Sequence, residues 1–167
     1  DSLHELWLSR LRLILKDNRS LQNAWEQLEL AACLGNQFDA DEWRIACEMA
    51  DLGSNSKTLE LMLSHRLFEM QYPNIRFVHT LLRESLLRYA DENGRSRQHH
   101  LICADMLRDY FSDTFEFYHE NRAAHLMAAK VWETAIEPLL MAANIRMQRS
   151  EFGMAHSLFQ QRETALN

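Results

Sequence analysis

Between Leu67 and Val78 the helical spacing of apolar residues that runs through the rest of the chain gives way to alternation, and no other stretch constrains the fold as tightly. Leu67-Phe68-Glu69-Met70 and Ile75-Arg76-Phe77-Val78 alternate around Gln71-Tyr72-Pro73-Asn74, where proline holds a φ suited to a turn. This predicts a β-hairpin. It passes directly into a helical pattern that opens Thr80-Leu81-Leu82-Arg83-Glu84, with His79 at the junction, the arrangement of a switch element. Elsewhere four glycines and two prolines in 167 residues leave few breaks, so long helices with short connections are expected.

The helices can be placed from their stripes. Leu3, Leu6, Trp7, Leu11 and Ile14 recur at a 3.6-residue period and predict a first amphipathic helix. A second runs from about Ser20 with Leu21, Ala24, Trp25, Leu28, Ala31 and Ala32 on one face, and Gly35 is placed to take the left-handed conformation past its end. The third has a complete local start signal. Asp39 can cap, Glu42 sits three residues on, and Phe38 and Trp43 occupy the staple positions on either side. Leu59, Met62, Leu63 and Leu67 form a fourth stripe leading into the hairpin. Three helices followed by a two-stranded wing give a winged-helix-like layout. After it come a helix from Thr80 closed by Asn93-Gly94, and another from Ser96 with His100, Cys103, Ala104, Leu107 and Phe111 inward and His99 outward. Phe111-Ser112-Asp113-Thr114 marks the expected domain boundary, giving residues 1–111 and 112–167.

Beyond the boundary alanine and methionine dominate. Pro138 is expected in the first turn of a helix starting near Trp132, where its missing N–H costs least, and Ser150 is expected to cap the last helix. Trp132-x-x-Ala135 recurs as Phe152-x-x-Ala155, each followed by a bulky apolar residue, Leu139 or Phe159. This is similar to the large-and-small alternation of tetratricopeptide repeats, with Ala142 at the second small position and Arg162 departing from it. So short a stack implies an array continuing beyond Asn167. The fold expected is therefore mainly α: a winged-helix-like domain with one small β-hairpin, then tetratricopeptide-like helical hairpins.

Composition excludes several classes. The net charge of −6 opposes non-specific attraction to phosphate backbones, so nucleic acid is not an expected partner. No apolar run reaches membrane-spanning length and no leader pattern opens the chain, which points to a soluble, cytoplasmic protein without a membrane partner. Cys33, Cys47 and Cys103 lie among apolar neighbours and are expected as buried thiols. No nucleophile elbow and no metal-ligand spacing is present, so neither a catalytic residue nor a metal site is assigned. His100 and His125 are read as hydrogen-bonded core histidines.

Five segments together resemble the region that follows the nucleotide module in bacterial signal-transducing ATPases with numerous domains, the STAND class. They are Ser2-Leu3-His4-Glu5-Leu6-Trp7-Leu8-Ser9-Arg10-Leu11; Leu28-Glu29-Leu30-Ala31-Ala32-Cys33-Leu34-Gly35-Asn36-Gln37-Phe38; Phe77-Val78-His79-Thr80-Leu81-Leu82-Arg83-Glu84; Arg97-Gln98-His99-His100 with Ala104; and Ala124-His125 with Ala128-Ala129 and Ala135. Lys130 stands where that class often has glycine. The resemblance implies a regulatory piece of a longer ATPase, since the chain has no Gly-x-x-x-x-Gly-Lys-Ser/Thr loop. It implies no cofactor here, ATP or ADP in the parent protein, the parent's ATPase domain as one partner and a protein or peptide on the helical repeats as another. It places His79 as the residue that senses the nucleotide, with Arg83 in the same interdomain network. Two other readings are a DNA-binding winged-helix regulator, for which the helix before the hairpin offers only Lys57, His65 and Arg66 against Glu60, and a plain helical scaffold.

Overall fold

The computed structural model describes residues 2–16, 21–111 and 117–167. Among them the elements follow in the order α1 (Ser2–Lys16), α2 (Ala24–Leu34), β1 (Gln37–Asp39), α3 (Ala40–Met49), α4 (Ser56–Ser64), β2 (Phe68–Gln71), β3 (Asn74–Phe77), α5 (Thr80–Glu92), α6 (Ser96–Tyr110), α7 (Tyr118–Ala128), α8 (Trp132–Gln148) and α9 (Phe152–Leu166). The protein is mainly helical with a small antiparallel sheet, as expected. It separates into two compact units, Asp1–His99 and His100–Asn167. The expected start at Ser20 and the expected boundary over Ser112-Asp113-Thr114 lie outside the described residues.

In the first unit the predicted hairpin forms: Phe68 faces Phe77, Met70 faces Ile75 and Gln71 faces Asn74, leaving Tyr72-Pro73 as the loop. The sheet has a third strand that the sequence did not announce. β1 pairs antiparallel with β3, Phe38 opposite Ile75, in the order β1-β3-β2. Three residues with one apolar side chain carry no periodic signal. Their extended state comes from pairing, extended by the Phe77 N–H to Asn36 O and the Ala40 N–H to Pro73 O, both at 2.9 Å. From α2 to β3 the elements thus run helix, strand, helix, helix, strand, strand. Phe38, Trp43, Phe68 and Phe77 form an aromatic centre, with ring centroids 4.8–6.0 Å apart and mostly edge-to-face, the geometry their quadrupoles favour.

Local signals set the helix starts where they are complete. Asp39 Oδ1 accepts the Asp41 N–H at 2.7 Å and the Glu42 N–H at 3.3 Å, and Phe38 meets Trp43 at 5.7 Å, so the predicted cap and staple form. Gly35 departs from expectation. Its φ of +146° is not the left-handed helical value, and a Cβ there would lie 3.0 Å from Gln37 O as the chain turns into β1. In α1 the buried stripe is His4, Leu8 and Leu11, while the predicted Leu3 and Leu6 are exposed.

In the second unit, short connections fold α8 back on α7 and α9 back on α8. Ala135, Leu139, Ala142, Ala143, Ala155 and Leu158 are buried between them. The small positions of the repeat are inward as expected, whereas Trp132 and Phe152, its large positions, are exposed because each opens its helix. Pro138 lies inside α8 rather than in its first turn. Ser150 does not cap α9: its φ of +61° closes α8 instead, and Glu151 holds the N-cap position.

Candidate functional site

The hairpin delivers His79 to the start of α5. The Val78 N–H reaches Leu67 O at 3.0 Å, which ties the end of β3 to the segment entering β2, and the Leu82 N–H bonds His79 O at 3.0 Å as the first helical bond. His79 is therefore the N-cap of α5, with φ −121° and ψ 113°, yet its side chain makes no capping bond. The imidazole is exposed and lies against Trp7 of α1, ring centroids 4.9 Å apart and tilted by 35°. The Arg10 guanidinium sits 5.3 Å from the same indole ring.

Arg83, one turn further along α5, is half-buried and donates its Nε–H to Ala32 O at 2.9 Å. It binds a carbonyl in the last turn of α2, where a cation also meets the negative end of the helix dipole. His79 contacts α1 and Arg83 contacts α2, so the two residues named from the sequence serve different neighbours. Glu84 is exposed.

A cluster that the sequence reading missed lies between α2 and the start of α6. Glu29 is fully buried. Arg95 donates Nε–H to Oε2 at 2.9 Å and a terminal N–H to Oε1 at 2.6 Å, and His99 Nε2 lies 2.7 Å from the same Oε2. Burial pushes the Glu29 carboxyl up, but the hydrogen bonds and charges of Arg95 and His99 outweigh it and hold the group below its ordinary value. With both oxygens engaged, Glu29 is an anchor rather than a proton acceptor. His99 therefore points inward, contrary to expectation. The available signal was Glu29 itself, a charge inside the apolar run Leu28-Glu29-Leu30-Ala31-Ala32, since such a charge needs a partner.

In the second unit His100 Nδ1 and His125 Nδ1 meet at 3.0 Å. One must donate and the other accept, and burial, with His100 alongside, brings His125 down to about 3. Both are hydrogen-bonded core histidines, as read from the sequence. Burial pushes the Cys33 and Cys47 thiols up to about 12, with Glu29 and Glu48 adding to the rise, which suppresses their thiolates. Among the described residues no group of three or more His, Cys, Asp or Glu could hold a metal ion, and no helix is long and apolar enough to cross a membrane. A cleft of about 340 Å³ opens on the sheet, lined by polar groups including Gln37, Gln71, Asn74 and the Arg76–Glu69 ion pair; neither His79 nor Arg83 lines it. No family model matches the chain, and no curated protein or solved structure matches it.

Proposed function

We propose that this chain is a non-catalytic regulatory relay of a cytoplasmic signal-transducing ATPase, in which His79 senses the nucleotide held by the ATPase domain of the same parent protein. The observation that carries this reading is the disposition of His79. Its backbone starts α5 and its ring rests on Trp7, but its nitrogens make no hydrogen bond among the described residues, so an exposed imidazole is presented at the point where the wing becomes a helix. An imidazole facing a diphosphate gains a charge-assisted hydrogen bond. Bound ADP then favours a docked winged-helix unit, and its loss releases that unit, a population shift that a helical-repeat partner can read.

Arg83 supports His79 from within the fold, since its bond to Ala32 O ties α5 to α2. In the full-length protein, His79→Ala shortens ADP retention by about tenfold, the equivalent of one hydrogen bond to a charged group. Retention and basal activity equal to those of the unaltered protein refute the sensing role.

A further inference from the structure

α1 is apolar on two opposite sides. One side, His4, Leu8 and Leu11, is buried at 8 %, 1 % and 0 % exposure. On the other, Leu3, Leu6 and Leu13 are 56 %, 62 % and 69 % exposed, with exposed Arg10 completing the row. The spacing Leu3, Leu6, Arg10, Leu13 is three, four, three, the a/d row along which a second helix packs. A single file of side chains suits the seam of a helix pair and is too narrow to float an apolar face in a lipid surface.

The centre of this row carries an uncompensated cation. Arg10 sits over Trp7, and no carboxylate is within ion-pair distance of it among the described residues. Glu5 is the sole acid on α1, against Arg10, Arg12 and Lys16. A second copy does not supply what is missing. Parallel pairing along the row sets Arg10 against Arg10, and antiparallel pairing about its middle sets Arg10 against Leu6. The row is not self-complementary, and like charges or an unpaired desolvated cation disfavour both arrangements.

We propose that the Leu3-Leu6-Arg10-Leu13 face of α1 docks an amphipathic helix of another polypeptide segment, one with leucine-like side chains in an a/d row and an Asp or Glu opposite Arg10. Docking there requires no nucleotide contact by His79, although Arg10 and His79 share the Trp7 ring.

The test uses two fluorescein-labelled helical peptides with leucine at the a and d positions and either Glu or Lys at the central a position, titrated by anisotropy. The Glu peptide is expected to bind at least about tenfold tighter than the Lys peptide. Leu6→Gln and Leu13→Gln should each weaken it by about tenfold or more, and Arg10→Glu should reverse the preference; all three positions are exposed, so folding, checked by circular dichroism, is retained. The proposal is overturned if neither peptide binds, if both bind equally, or if Arg10→Glu leaves the preference unchanged. Sedimentation showing a dimer that Leu6→Gln dissolves overturns it in favour of a second copy, and binding to phosphatidylserine vesicles without peptide binding overturns it in favour of a membrane.

Discussion

Glu42 serves two conflicting demands. As the third residue of α3 it accepts a hydrogen bond from the Asp39 backbone, which favours its carboxylate, but burial and the Asp39 charge outweigh this and raise it to about 7. A raised carboxyl contributes stability that is complete below about 4.5 and is lost as pH climbs through 7. Glu42→Gln keeps an acceptor for the Asp39 N–H without the charge. Urea unfolding should therefore show the variant more stable by about 1–3 kcal/mol near pH 8.5 and nearly unchanged near pH 5. This cap was legible in the sequence because its four members lie within six positions, Phe38 to Trp43. The Glu29–His99 pair was not, because its members are 70 residues apart. The inward face of α6 was read correctly at Cys103, Ala104 and Leu107, all buried, but not at its start, where His99 is buried and His100 half-buried.

At the level of elements, turns are made with little glycine. α3, α4, α7 and α8 each end on a non-glycine residue in the left-handed region: Asp51, Arg66, Lys130 and Ser150, at φ 53–61°. In α7 the Lys130 N–H bonds Met127 O at 3.0 Å and the Val131 N–H bonds Leu126 O at 2.9 Å, so the turn closes despite lysine. A side chain in this conformation costs about 1–2 kcal/mol, partly offset by the greater entropy glycine loses on folding. Lys130→Gly and Ser150→Gly are each expected to raise the unfolding free energy by about 0.5–1 kcal/mol in urea titrations. Helix existence was readable from apolar stripes, but the inward face of α1 was not. Its leucines at 3, 6, 8, 11, 13 and 15 support two opposed stripes, and periodicity alone does not say which one the core takes. Likewise nothing local marks β1, whose partner β3 lies far along the chain.

At the scale of the whole molecule, Glu42 and His125 should make the two units respond to acid in opposite directions. Between about pH 7.5 and 5 the first unit gains as Glu42 protonates, and the Glu29 carboxylate, held low by Arg95 and His99, preserves its ion pair until the pH falls below its ordinary value. The second unit contains His125, depressed to about 3. A depressed histidine contributes stability that is present above about 6.5 and is lost as pH falls toward its folded value, about 2 kcal/mol by pH 5. Hydrogen exchange followed by mass spectrometry at the two pH values should show amides of α3 equally or better protected in acid and those of α7 and α8 less protected. His125→Gln should flatten the second response. Equal losses in both units would refute the assignment. The stack of Trp7 on His79 has a practical corollary: a ligand that draws the imidazole away alters the Trp7 share of the emission from four tryptophans, and comparison with Trp7→Phe isolates that share without a dye.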